Sequence, residues 1–185
     1  ELSLSDLVRN YLLMDEKEQE KLYKNYWLSI EKYVGYTNLG DYMMNYISSK
    51  MGRTITAREA YSIFKKYVET KQFSHEEVLK DLKKNAHYYG VFLGRENLSS
   101  YDKDLKEISI LIHDFYRIKQ STVLPYLFSV LTDYEMGSVN VVNLKKVLQY
   151  LLSYVVRLNA CEINKNMAKF FASIHERLIK NVNDK

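Results

Sequence analysis

Apolar residues recur every three or four positions along most of the chain, which is the period of an amphipathic helix. In the second predicted helix they fall at Leu22, Tyr23, Tyr26, Trp27, Ile30 and Val34, and the same spacing returns in each later segment. No stretch shows the strict alternation of a half-buried strand. The pattern predicts an all-α fold with about nine antiparallel helices in an irregular, elongated bundle. The predicted helices begin at about Ser3, Asp15, Asn38, Thr56, Ser74, Ser100, Thr122, Val141 and Asn166. Helix ends are predicted near Met14, Val34, Met51, Leu158 and Asn181.

Helix starts are marked by capping boxes, in which a Ser, Thr or Asp is followed three residues later by an acid. These begin at Ser3, Asp15, Thr56 and Ser74, and Asn38 is a further candidate cap. Such signals at short intervals predict consecutive antiparallel helices. Glycines following apolar runs predict helix ends.

The clearest interruption is the stretch from residue 90 to residue 100, which holds Gly90, Gly94 and Asn97. Glycine and asparagine favour turns. The pattern predicts a single helical domain over residues 1–185, with room for two sub-bundles, 1–93 and 100–181, joined by this glycine-containing loop. The first ten residues already have the pattern of a capped helix and there is no initiator Met, which predicts a piece of a larger protein.

The amino-acid composition supports a helical fold and indicates the cellular compartment. One Pro and six Gly among 185 residues are too few for a fold rich in turns. A single Cys, Cys161, excludes an internal disulfide and favours a cytoplasmic location. The longest apolar stretch, residues 147–158, is interrupted by polar side chains and predicts a buried helix rather than a membrane span.

Positive charge is concentrated near the C-terminus. Residues 1–136 carry 19 Lys and Arg against 20 Asp and Glu, whereas residues 137–185 carry 8 against 3. This excess suggests contact with a polyanion, and the alternative is a solvated helix face. The candidate DNA-contacting residues are Arg157, Lys165, Lys169, Arg177 and Lys180. Asn164 or Asn166 in the same segment can instead be the cap of the last helix.

No motif for catalysis, a cofactor or a metal is found. The glycines are scattered rather than grouped in a phosphate-binding loop, and the four histidines lack metal-ligand spacing. His113 and Asp114 are adjacent on a helix and therefore point in different directions. Cys161 and His175 could form a nucleophile and base, but nothing around them favours it. The prediction is a fragment with no catalytic, cofactor or metal residue.

Three segments resemble a known family. The run from Leu4 to Met14, LSDLVRNYLLM, and the later LYxxYWxxIE at residues 22–31 are similar to stretches of GmrSD-type restriction endonucleases. Residues 157–172, with Arg157, Cys161, Lys169, Phe171 and Ala172, resemble a looser motif of the same family. At Asn164-Lys165 the chain departs from that family's usual Thr-Asn.

The resemblance implies a parent that is a cytoplasmic, nucleotide-dependent, modification-sensing DNase. In that family a ParB-like N-terminal domain precedes the helical region and an HNH domain follows it. The fragment would then be the non-catalytic helical region, whose partners are the flanking domains and DNA, with no membrane. The alternative is a protein-interaction module, open to self-association, with a Tyr- and Met-rich groove formed by Tyr42, Met43, Met44 and Tyr46. The same spacing is also explained if Met43 and Tyr46 are core residues and the other two cover them.

Overall fold

The computed structural model describes residues 2–14, 17–163 and 165–183. For residues 178–183 it describes the backbone only. Across these residues the protein forms nine helices and no strand, which confirms the all-α prediction. They are α1 (Leu4–Leu13), α2 (residues 19–34), α3 (Leu39–Met51), α4 (Ala57–Lys71), α5 (His75–Phe92), α6 (Lys103–Arg117), α7 (Leu124–Glu135), α8 (Val141–Ala160) and α9 (Met167–Asn183).

The chain divides into two compact units, Glu1–Tyr89 and Gly90–Lys185, called unit 1 and unit 2 below. In unit 1, α1 packs against α3 and α4, and α3 also contacts α2 and α4. In unit 2, α6 packs against α8, while α9 packs against α7 and the short 3-10 turn Ser121–Val123. The arrangement as one domain with two sub-bundles stays a prediction.

Side-chain caps account for several of the predicted helix starts. At α1, Ser3 and Asp6 form a complete capping box. At α5, the Ser74 hydroxyl accepts from the Glu77 N–H at 3.3 Å, while the Glu77 carboxylate accepts from the Ser74 N–H at 2.8 Å. At α4, the Glu59 carboxylate accepts from the Thr56 N–H at 2.8 Å. Asp15 lies outside the described residues.

The predicted Asn38 cap is wrong. Its side chain makes no capping bond to α3 and instead donates to the carbonyl of Val34 at 3.0 Å. The reason is that residues Tyr36–Asn38 form a 3-10 turn that continues directly into α3. Asn38 therefore satisfies the open C-terminal end of α2 and not the N-terminal end of α3.

Helix α2 contains a π-helical turn that the sequence pattern did not predict. Its segments are Gln19–Leu22, the π turn Tyr23–Trp27, and Leu28–Val34. The wider turn places Leu22 and Trp27 on the same buried side although they are five residues apart. Trp27 is fully buried, and its indole N–H donates to a Glu31 carboxylate oxygen at 2.9 Å.

The core of unit 1 follows the predicted apolar positions. The fully buried side chains include Trp27, Tyr42, Tyr46 and Phe64. The two tyrosines retain hydrogen bonds there, since the Tyr42 hydroxyl donates to the Leu82 carbonyl at 2.5 Å and the Tyr46 hydroxyl to Asp81 at 2.7 Å. Burial of a tyrosine is tolerated when its hydroxyl finds a partner.

The predicted break at residue 90 begins later than expected, because α5 continues through Gly90 to Phe92. The turn itself is built around Gly94, whose φ is +75°. A Cβ at this position would lie 2.6 Å from Cε1 of His113. His113 is held there because its Nδ1 lies 3.0 Å from the Phe92 carbonyl and its ring stacks on Tyr116. The histidine therefore has a structural role at this turn.

Gly94→Ala is expected to destabilise the protein more than Gly137→Ala. Both glycines have positive φ, but a Cβ on Gly137 would meet nothing within 4 Å. The cost of a left-handed alanine, about 1–2 kcal/mol, applies to both variants. The clash with His113 adds about 1–3 kcal/mol at Gly94 only. Urea unfolding followed by circular dichroism measures the difference, and equal losses would show that the His113 ring moves aside freely.

In unit 2 the largest fully buried side chains are Phe115 of α6, Phe128 of α7 and Phe171 of α9. The prediction that residues 147–158 form a buried helix is wrong in part. Leu148 and Val155 are fully buried, but Tyr150 is 74% exposed and Val156 45% exposed. The helix is covered on one side only and presents the other to solvent.

Candidate nucleic-acid interface

The predicted basic residues lie on the last turns of α8, on α9 and on the connection between them. Helix α8 ends with Glu162 in a left-handed conformation, φ 54°. The N–H of Ile163 then donates to the Leu158 carbonyl at 3.0 Å. Helix α9 is preceded by Asn166, whose side-chain oxygen accepts from the N–H of Lys169 at 3.0 Å. The capping role foreseen as an alternative is therefore confirmed for Asn166, whereas Asn164 lies outside the described residues.

Lys165 is held in place by two aromatic side chains, Tyr154 of α8 and Phe170 of α9. The ring centroids of Tyr154 and Phe170 are 5.0 Å apart. The Lys165 ammonium lies 5.1 Å from the Tyr154 centroid and 4.9 Å from the Phe170 centroid, and it donates to the Tyr154 hydroxyl at 2.5 Å. Attraction to the ring faces fixes an exposed cation without neutralising its charge.

The other predicted basic residues lie on outer surfaces. Arg157, Lys169 and Arg177 are all exposed. On α9, Lys169 and Arg177 are eight residues apart and so point to the same half of the helix, away from the buried Phe171 and His175. Lys180 belongs to α9, but its side chain lies outside the described part.

The four described basic side chains make no salt bridge within the described part of the chain. In unit 1, by contrast, Lys and Arg are mostly paired with a nearby acid. The pairs there include Arg9–Asp6, Lys21–Glu18, Lys24–Glu20, Lys50–Asp81, Arg53–Glu59 and Lys80–Glu76. Positive charge is thus left available on the α8–α9 segment and largely compensated in unit 1.

Comparison with models of protein families, with curated proteins and with solved structures finds no match to this chain. The resemblance to GmrSD-type endonucleases stays a prediction. The structure does give the residues of its second stretch a local role. Glu31 accepts hydrogen bonds from the Trp27 indole at 2.9 Å and from the Tyr23 hydroxyl at 3.1 Å, so the motif residues Tyr23, Trp27 and Glu31 stabilise α2.

Cys161 and His175, which the sequence did not favour as a nucleophile and base, are not joined by a hydrogen bond in the structure. Cys161 is exposed at the C-terminal cap of α8. His175 is 2% exposed, and its Nε2 lies 2.6 Å from the hydroxyl oxygen of Ser129 on α7. Burial lowers the pKa of His175 to about 4, so the imidazole is neutral at pH 7 and can accept from that hydroxyl. Ser129 and His175 satisfy each other inside unit 2.

A polar cluster in unit 1 was missed by the sequence interpretation. Asp81 on α5 accepts from Tyr46 at 2.7 Å and pairs with Lys50 at 2.6 Å and with Lys84 at 3.5 Å. Burial raises the pKa of Asp81, but the Lys50 ion pair and the hydrogen bonds outweigh this and the net shift is downward. A cavity of about 260 Å³ adjoins the cluster and is lined by Tyr46, Lys50, Tyr67, Phe73, Glu77, Val78 and Asp81.

Burial raises the pKa of Tyr67, on the wall of this cavity, to about 12. The phenol is therefore neutral at physiological pH and remains a hydrogen-bond donor. Within the described residues, no group of three or more His, Cys, Asp or Glu side chains could hold a metal ion. Nor is any helix there both long and apolar enough to cross a membrane.

The predicted open groove on α3 is wrong, and the other interpretation, in which Met43 and Tyr46 are core residues, is confirmed. Tyr42, Met43 and Tyr46 are each at most 1% exposed, and Met44 is half-buried. The three buried residues lie on the helix face that packs into unit 1, because Tyr46 follows Met43 by three residues and Tyr42 by four. They form core and do not provide an open surface.

Proposed function

We propose that this chain is a non-catalytic helical domain of a larger cytoplasmic defence protein that resembles a nucleotide-dependent, modification-sensing DNA endonuclease. In this role the domain positions the modules on either side of it. It also contacts DNA weakly through Arg157, Lys165, Lys169, Arg177 and Lys180.

The observation that supports DNA contact is the difference in charge pairing between the two units. Exposed cations without an acidic partner remain available to phosphates, whereas a cation in a local ion pair must first give up that partner. Arg157, Lys165, Lys169 and Arg177 are of the first kind. Lys21 and Lys24, equally exposed in unit 1, are of the second kind, with carboxylates at 2.7 and 2.6 Å.

The expected affinity is low and depends on salt. Non-specific DNA binding has a dissociation constant of roughly 10⁻⁴–10⁻⁶ M at physiological salt. Each phosphate contact adds about −0.9 to the slope of log affinity against log salt concentration, so the five proposed residues set a limit of about −4.5. Fluorescence anisotropy with a labelled duplex between 50 and 200 mM salt measures both quantities. Binding that does not change with salt, or no binding at 50 mM salt, would contradict the proposal.

A matched pair of double variants separates local contact from net charge. Lys169→Gln with Arg177→Gln, and Lys21→Gln with Lys24→Gln, remove the same number of positive charges from exposed helix positions. Only the first pair is expected to weaken duplex binding and to make the salt slope shallower by up to about 2. Equal losses in both variants would mean that the overall charge of the protein attracts DNA and that α9 has no special part.

The role between flanking modules is tested by the complete reading frame that encodes the chain. The resemblance leads us to expect an Asp-Gly-Gln-Gln-Arg motif upstream and an HNH motif downstream. A reading frame with neither motif would remove the proposed parent and leave DNA contact as a separate question.

A further inference from the structure

The solvent-facing side of α8 carries a row of basic and aromatic side chains, here called the α8 stripe. Its members are Lys146, Tyr150, Tyr154 and Arg157. Their spacings of four, four and three residues place them one above another on the helix. Tyr150 is 74% exposed, and Lys146 and Arg157 are exposed on either side of it along the helix.

At its C-terminal end the stripe adjoins Lys165, whose ammonium lies over the rings of Tyr154 and Phe170. Tyr154 is half-buried, and its ring is already covered by the Lys165 ammonium and Phe170. Tyr150, one helical turn before it, presents most of its ring to water. An accessible ring lies therefore between Lys146 on one side and the cations Arg157 and Lys165 on the other.

We propose that the α8 stripe binds single-stranded nucleic acid, with an unpaired base stacked on Tyr150 and phosphates contacting Lys146, Arg157 and Lys165. This inference rests on the proposed function and gives it a preferred substrate. The positive charges of Lys146, Arg157 and Lys165 favour a polyanion as the ligand. The exposed ring of Tyr150 favours unpaired bases, because the bases of a duplex are stacked on one another and have no free face. Aromatic stacking beside a basic surface is the usual way in which proteins hold single strands without reading their sequence.

Three oligonucleotide probes of equal length test the proposal: labelled dT12, a 12-mer of abasic sites, and a 12-base-pair duplex. The abasic strand supplies the phosphates without bases. At 50 mM salt we expect dT12 to bind about five-fold or more tighter than the abasic strand, since one stacked base contributes about 1–3 kcal/mol. Tyr150→Ala is expected to abolish that preference without changing binding of the abasic strand. Tyr150→Phe should retain it, because the ring remains.

Tyr101→Ala is the matched control, because Tyr101 is 96% exposed and belongs to the same unit. It should leave all three affinities unchanged, and circular dichroism verifies that each variant is folded. Equal affinity for dT12 and the abasic strand, or an unchanged preference in Tyr150→Ala, would overturn the stacking proposal while salt-dependent duplex binding still supported the proposed function. Failure of all three probes to bind at 50 mM salt would remove both.

Discussion

Acidification from pH 7 to pH 4 is expected to lower the free energy of unfolding of unit 2 by about 3 kcal/mol through His175 alone. The side chain is 2% exposed, and burial lowers its pKa to about 4. Its Nε2 is engaged with the Ser129 hydroxyl at 2.6 Å. Protonation would place a charge in an environment that is largely removed from water.

The direction of this effect follows from which state binds the proton. An unfolded chain has a histidine pKa of about 6.5. Between about pH 6.5 and pH 4 the unfolded chain takes up a proton that the folded chain does not, so stability falls as pH falls through this window. The contribution is complete above about pH 6.5. Asp133, whose pKa is raised by burial, acts in the opposite sense when it becomes protonated.

Hydrogen exchange of peptides from α7 and α9 at pH 7, 6 and 5 measures the loss of stability in the two helices that carry Ser129 and His175. His175→Gln is expected to reduce stability at pH 7 but to lose most of the dependence on pH above 5. The capping carboxylates of Glu59 and Glu77 have lowered pKa values, so their contributions change only below about pH 4.5. If His175→Gln retained the dependence of the unsubstituted protein, a different group would be responsible.

Much of the fold could be predicted because its determinants are local. A capping box such as Ser74 with Glu77 needs only residues three apart, and an apolar stripe needs only three or four. The π turn in α2 is an exception. The helical period places Tyr26, four residues after Leu22, on the side of Leu22 rather than Trp27, which is five residues after it. In the structure the π turn brings Trp27 into the core instead.

The basic residues of the candidate interface could be predicted because charge is visible in composition. The side-chain contacts around the predicted residues could not be predicted. Tyr154 meets Lys165 across a helix connection, Ser129 meets His175 at a separation of 46 residues, and Tyr46 meets Asp81 at a separation of 35. Such contacts depend on how helices pack, which a period of three or four does not specify.

The Asp81 cluster is the second place where a single substitution should have a large effect. Lys50 and Asp81 have side chains 20% and 29% exposed, so their ion pair is mostly removed from water. Asp81 also receives the hydrogen bond of Tyr46, which is otherwise buried in the core. Removing one partner of a buried pair leaves the other charge uncompensated, and this costs far more than the pair itself contributes.

Asp81→Asn is therefore expected to lower the free energy of unfolding of unit 1 by about 2–3 kcal/mol, slightly less than a fully buried pair would lose because water still reaches this one. Urea unfolding can be followed by the fluorescence of Trp27, the only tryptophan, which is fully buried in the same unit.

Glu69→Gln breaks the exposed Lys65–Glu69 pair of that unit and should cost at most about 1 kcal/mol. Adding Lys50→Met to Asp81→Asn should restore part of the loss, because it removes the charge that was left without a partner. A loss no greater than that of Glu69→Gln, or no recovery in the double variant, would mean that solvent already compensates both charges and that the cluster contributes little to the stability of unit 1.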